Sequence, residues 1–273
     1  KYAKQAQVVH IDIDKAEINK IISPTVAVHA DAKEALDALT KLCTKNAFPE
    51  WIESFKKLNA EEFEKVVAKE IRNTNSLKMA EVIYMLSQLT KGEAVVVTDV
   101  GQHQMVTSRY YQYKNPRTNI TSGGAGTMGF ALPAAMGAKV AAPHKQVVAV
   151  IGDGGYQMTV QELGTIMQYK IPVKILVLNN SFLGMVRQWQ QLFHGKRYSF
   201  TEMQNPNFVK IAEAYNIPAA KVTEQKNLEA ELKKMLASET SYFLEVVVEK
   251  EDNVFPMVPA GAGVAEVILE IPK

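Results

Sequence analysis

The chain has 273 residues, 47% hydrophobic and 22% charged, with a formal net charge of +2. This is the make-up of a globular protein with a substantial core, sized for one large domain or a domain with an attachment. Basic and acidic residues are interspersed without a long basic stripe, which argues against nucleic acid or an anionic membrane as partner. No run approaches the roughly 18 apolar residues of a membrane helix. The one cysteine, Cys43, excludes an internal disulfide and a cysteine metal site and fits a reducing compartment, so a cytoplasmic setting is expected. Its side chain is expected to be half-buried on a helix.

In chain order, the opening KYAKQAQVVHIDID has no initiator Met and runs directly into a strand, QVVHIDI (7–13), so a piece of a larger polypeptide is expected. TVAVHADAKEALDALTKLC follows, and then KNAFPEWIESFKKLNAEEFEKVVAKEIRNTN (45–75), charged, helical in parts and without a strand-like run. The α/β core begins near Ser76. SLKMAEVIYMLSQLT (76–90) sets Met79, Ile83, Leu86 and Leu89 at helical spacing. Four more short, β-branched runs read as buried strands: AVVVTDV (94–100), QVVAVIG (146–152), VKILVLN (173–179) and YFLEVVV (242–248). Helical patterns TVQELGTIMQYK (159–170), NFVKIAEAYN (207–216) and NLEAELKKMLAS (227–238) lie between them. Strand alternating with helix predicts an α/β fold, a doubly wound and mostly parallel sheet with helices on both faces. In such sheets ligands bind beyond the carboxyl ends of the strands.

The residues that follow the strands are accordingly the candidates. Asp99-Val100-Gly101-Gln102-His103 closes the second run, Gly152-Asp153-Gly154-Gly155 the third, and Asn179-Asn180 the fourth. A carboxylate on a turn opening a helix, with an amide oxygen and a main-chain carbonyl nearby, suits a hard cation such as Mg²⁺, which takes about six oxygens and usually keeps phosphate among them. Free amides at a helix start favour the phosphate itself. A competing pattern is Gly124-Ala-Gly126-Thr-Met-Gly129, which has the G-x-G-x-x-G spacing of a dinucleotide fingerprint, with Asp153 at the distance of a ribose partner. Such a fingerprint must follow directly on a strand. The preceding YQYKNPRTNITS is polar and carries Pro116, so a loop is expected there and the dinucleotide reading is set aside.

GDG followed by NN resembles the motif of thiamine-diphosphate enzymes. VGQHQM, SGGAGTMGFALPAAMGA, GDGGYQMTVQELGTI, NNSFLGMVRQWQQLF and the tail PMVPAGAG resemble the large catalytic subunits of the acetolactate (acetohydroxyacid) synthases, through essentially all of 76–273. VVHIDIDKAEINK resembles the last strand of their middle, flavin-binding domain, with Asp12 and Asp14 as remnants of its edge. The resemblance thus implies three parts: 1–40 from the middle domain, a helical connector over 41–75, and a thiamine-diphosphate and Mg²⁺ domain over 76–273.

The same resemblance implies the roles. Asp153 and Asn180 bind Mg²⁺ through their side chains and Phe182 through its carbonyl, while Gln102 and His103 face the diphosphate with Gly154 and Gly155. Val100, Gly101, Gly126, Gly152, Leu183, Gly184, Met185 and Val186 complete the cofactor's surroundings. Met128 sits beneath the bend between the cofactor's two rings, and Met185 and Trp189 line the substrate channel, Trp189 favouring 2-ketobutyrate as second substrate. Core packing is the competing role for Met128 and for the helix carrying Trp189; the flanking Gly126 and Gly129 favour the cofactor role for the former. The implied reaction decarboxylates pyruvate and joins its two-carbon unit to pyruvate or 2-ketobutyrate, for branched-chain amino-acid biosynthesis. FAD in the full-length parent, a homodimer or tetramer, a regulatory small subunit and a bacterial parent are implied with it. A catalytic glutamate from a partner subunit's N-terminal domain matches nothing here, so the chain alone is expected to bind cofactor weakly without turnover. Alternatives are a pyruvate oxidase, glyoxylate carboligase or sulfoacetaldehyde acetyltransferase, a dinucleotide oxidoreductase, or a non-catalytic binding module.

Overall fold

The computed structural model describes residues 5–71 and 76–271. They divide into two compact units, residues 1–61 with 256–269 and residues 62–255 with 270–273. In the first unit, β1 (Val9–Asp12) pairs in parallel with β2 (Val26–His29). The Asp31 carboxylate accepts from the amides of Lys33 and Glu34 at 2.8 and 3.3 Å and so caps α1 (Ala32–Leu42). Cys43 lies one residue past the end of α1 and is exposed, not half-buried as expected, because the chain has already turned extended there. Asp12 and Asp14 each accept an amide two residues on, at 2.8 Å, and stabilise the turn after β1. Helix α2 (Pro49–Glu62) follows and buries none of its residues.

The second unit opens with a π-helical turn, Phe63–Val67, and α3 (Ala68–Ile71). Helix α4 (Met79–Leu89) buries the Met79, Ile83 and Leu86 face that its periodicity predicts. The rest alternates: β3 (Val95–Thr98), α5 (Gln102–Tyr110), β4 (Asn119–Thr121), α6 (Ala131–Ala141), β5 (Val147–Gly152), α7 (Asp153–Met158), α8 (Glu162–Tyr169), β6 (Lys174–Asn179), α9 (Gly184–Phe193), α10 (Phe208–Ala214), β7 (Ala219–Val222), α11 (Leu228–Ala237) and β8 (Tyr242–Val247). The sheet runs β4-β3-β5-β6-β8-β7 and every pair is parallel.

Successive side chains of a strand point to opposite faces, and both faces of this sheet are covered. Val96, Val148, Val150, Leu176 and Leu244 join one apolar cluster with α4 and α11. Val95, Val97, Ala149, Ile175, Val177 and Phe243 join the other with α6, α8 and α10. The doubly wound fold predicted from the alternation is the fold observed. The chain leaves β3 toward β4 on one side and β5 toward β6 on the other, so the crevice beyond the carboxyl ends of β3 and β5 is the topological switch point. No helix among the described residues is long and apolar enough to cross a membrane.

Candidate functional site

Beyond those strand ends lies a cavity of about 260 Å³. Four segments wall it. The end of β3 contributes Val100, Gly101, Gln102 and His103; the end of β5 contributes Gly152, Asp153, Gly154 and Gly155. The end of β6 and the start of α9 contribute Asn180, Phe182, Leu183, Gly184, Met185 and Val186, and the loop before α6 adds Gly126 and Met128. These cofactor contacts proposed from sequence therefore stand on one cavity, whereas Gly124, whose backbone the same reading brings to the aminopyrimidine, does not line it. Gln104 and Met105, the last two residues of VGQHQM, also line it without a role assigned from sequence, and Met79 and Leu178 line it without a motif. Trp189 does not line it: one turn along α9, it is half-exposed and packs edge-on against Phe193 at 5.6 Å.

The cavity is built on Asp99, a residue the motifs left without a role. Its carboxylate is completely buried and accepts the amides of Val100 at 2.8 Å, Gly129 at 3.0 Å and Ala131 at 3.0 Å. It thereby fixes the end of β3, the Met128 loop and the start of α6 to one another. A Cβ at Gly155 would come within 2.6 Å of the same carboxylate, so only glycine brings the end of β5 this close.

His103 is buried at the first turn of α5, and Gly101, at φ +147°, and Gly152 make room for its ring. Burial lowers its pKa to about 4, against the opposing pull of the Asp99 charge and backbone, so the ring is neutral at pH 7. Its Nε2 has no hydrogen-bond partner among the described residues. A buried polar atom left unpaired at a cavity wall fits a polar group of a ligand. Gln102 is held by donating to Gln188 and to the Asp252 carbonyl, both at 2.9 Å, and its Oε1 accepts from Asn180 at 3.2 Å.

Asp153 is buried, and burial raises its carboxyl to about 6 against the hydrogen bonds that favour the ionised form, chiefly from Asn205. Asn205 donates to it at 2.7 Å and also to Asn179 at 3.0 Å. Asn179 in turn donates to the buried Glu245 at 2.7 Å, and Lys221 pairs with Glu245 at 3.0 Å. The two asparagines of NN thus divide their work, with Asn179 turned into this network and Asn180 onto the cavity. Ser181 takes a left-handed φ of +55°, and the loop is strapped by hydrogen bonds from Leu183 to the Thr201 carbonyl and from Met203 to that of Ser181. No group of three or more His, Cys, Asp or Glu among the described residues is arranged to hold a metal. A cation here would rest on one carboxylate, one amide oxygen and main-chain carbonyls, which with phosphate oxygens is a donor set for Mg²⁺.

The segment before Gly124, expected to be a loop, contains the short edge strand β4, whose three residues are too few and too polar to signal themselves. The dinucleotide reading fails on a different ground. Gly129 and Ala131, at the start of α6, give their amides to Asp99, so the helix N-terminus that a pyrophosphate needs is already filled from inside the protein.

A parallel sheet with a glycine-walled cavity of about 260 Å³ at its switch point and an Asp-Asn pair on its wall fits a thiamine-diphosphate-binding domain. The chain belongs to the thiamine pyrophosphate enzyme family, matching its C-terminal TPP-binding domain over residues 99–246. It is similar to the acetolactate synthase large subunit of Lactococcus lactis, 43% identical over 98% of this chain and 46% of that one. It is 40% identical to the large subunit from Buchnera aphidicola of Schizaphis graminum, over 98% of this chain and 48% of that one. With chloroplastic acetolactate synthase 1 of Oryza sativa the identity is 41%, over 98% of this chain and 43% of that one. The chain spans about half the length of the curated relatives it matches.

Proposed function

We propose that the chain is the thiamine-diphosphate-binding part of an acetolactate synthase large subunit, which joins the two-carbon unit of decarboxylated pyruvate to pyruvate or 2-ketobutyrate in branched-chain amino-acid biosynthesis. The observation that carries the reading is the convergence of three strand ends on one cavity, in a chain similar to such subunits over 98% of its length. Thiamine diphosphate, when bound, supplies a thiazolium able to stabilise a carbanion.

The chain's own residues then bind and orient. Asp153, Asn180 and the Phe182 carbonyl hold Mg²⁺. Gln102, His103 and the backbone of Gly154 and Gly155 would face the diphosphate. The side chains of Met128 and Met185 form apolar walls that exclude water and offer no competing proton. Trp189, off the wall and half-exposed, is assigned to the approach taken by the second ketoacid. None of the described cavity-lining residues is a glutamate, so an acid acting on the pyrimidine ring comes from elsewhere. The chain of these residues alone is expected to bind without turnover.

The parts assigned are 1–40 to a flavin-type middle domain, 41–75 to a connector and 76–273 to the cofactor domain. FAD in the parent, a homodimer or tetramer, a regulatory small subunit and a cytoplasmic location belong to the same reading and rest on the similarity to the bacterial large subunits. The test is product analysis of the full-length parent. Acetolactate from pyruvate, and acetohydroxybutyrate when 2-ketobutyrate is added, are expected. Pyruvate consumption without a new carbon–carbon bond overturns the reading in favour of an oxidase.

A further inference from the structure

At the opposite ends of β5 and β6, the amino ends, lies a second cavity of about 400 Å³, lined among others by Lys139, His144, Lys145, Lys174, Ser238 and Glu239. Lys174 opens β6 and is only 4% exposed. Its ammonium donates to the Ser238 carbonyl at 2.6 Å and to that of Thr240. Lys139, in the last turn of α6, donates to the carbonyls of Pro143 at 2.8 Å and Lys145 at 2.6 Å. An ammonium has three N–H groups, so each lysine keeps one. Neither makes an ion pair with a carboxylate among the described residues, and the one acid of the lining, Glu239, is exposed. Burial and then the charge of Lys139 hold the Lys174 pKa down at about 8.

Fixing the loops that follow α6 and α11 accounts for two protons of each lysine. It does not account for two cations sharing one cavity without a counter-ion, an arrangement that burial makes costly. We propose that this cavity is an oxyanion site, taking a small molecule whose phosphate or carboxylate oxygens bridge the remaining N–H groups of Lys139 and Lys174, with Lys145 and His144 at its rim. It is separate from the cofactor cavity and does not depend on the function proposed for it.

The test is titration of the whole chain with inorganic phosphate and, separately, acetate, against chloride at constant ionic strength. The resonances of ¹³C-labelled lysine Cε are followed at the same time. Saturable phosphate binding is expected, about tenfold weaker in Lys139→Gln through loss of one charge-assisted hydrogen bond. The Lys174 titration is expected to move to higher pH when the anion is present. The Lys174 resonance needs no variant and is local, so phosphate held in the cofactor cavity leaves it unmoved. Phosphate binding without acetate binding assigns a phosphate-bearing ligand, and binding of both assigns oxyanions generally. Phosphate acting no differently from chloride, a Lys139→Gln chain that binds as tightly as the native one, or an unmoved Lys174 titration overturns the proposal.

Discussion

Gly124 and Gly126, in one glycine-rich stretch, would bring a Cβ within 4 Å of no other atom. In the other stretch and at the start of α9, a Cβ would lie 2.8 Å from His103 Nδ1 at Gly152, 2.6 Å from Asp99 Oδ1 at Gly155 and 2.2 Å from Gln102 Oε1 at Gly184. Gly124 and Gly126 leave backbone bare beside open space, as a ligand's approach requires, while Gly129 of the same stretch is crowded by Thr159 at 3.0 Å. The second group uses glycine to let β5, α9 and three buried polar side chains interlock. Both stretches are glycine-rich, so composition alone does not separate a surface offered to a ligand from a close-packed support. The partners of each missing Cβ do.

The crowded side should break most severely. Gly155→Ala drives a methyl into a carboxylate pinned by three amides, and Gly184→Ala drives one into a hydrogen-bonded Gln102. Each is expected to cost about 3 kcal/mol by urea unfolding, with no ligand present. Gly154→Ala, whose nearest atom is the flexible Leu183 Cδ2, should cost less; equal losses at 154 and 155 would remove the distinction. Next comes His103, the side chain that Gly101 and Gly152 make room for. Its pKa is lowered to about 4 from 6.5, so between those values the native state binds fewer protons than the unfolded chain. Stability therefore falls on acidification from pH 6.5 toward 4, by roughly 3 kcal/mol at most. Asp153, raised to about 6 from 3.8, acts in the opposite sense over 3.8 to 6. The clean readout is the difference in pH slope between the native chain and His103→Gln, and identical slopes would contradict the burial argument.

The open side should yield smaller changes in stability. Gly126→Ala meets no atom but must adopt φ +64°, which costs about 1 kcal/mol. Gly124→Ala has neither obstacle and should stay within about 0.5 kcal/mol of the native chain. If the open stretch serves the ligand, Gly126→Ala weakens thiamine diphosphate binding beyond its effect on folding. Binding unchanged there would return this loop to a purely structural role.

Four of the five β-branched runs read as buried strands hold β3, β5, β6 and β8 of the covered sheet. The fifth, QVVHIDI, holds β1, which pairs only with β2 and leaves Val9 exposed, because the run alone does not say what covers it. Edge strands β4 and β7 were not legible, since NIT and AAKV are short and carry polar residues on their exposed side. The cavity wall was legible at its strand ends, where glycine and polar residues break an apolar run. Asp99 stood in view without a role because its work, accepting two amides from about thirty residues away, leaves no spacing in the sequence. Asn205 gave no signal at all, since it reaches Asp153 only through the strap that covers the loop after β6.

The central claim is that the strand-end cavity holds a diphosphate through a cation on Asp153. Calorimetric titration of the chain with thiamine diphosphate, with Mg²⁺ and with a chelator, and of Asp153→Asn alongside it, tests this most directly. The expected result is saturable binding that requires Mg²⁺ and disappears in Asp153→Asn while the variant stays folded. Equal binding with the chelator or in the variant, or tight Mg²⁺-independent binding of NADH, would contradict it.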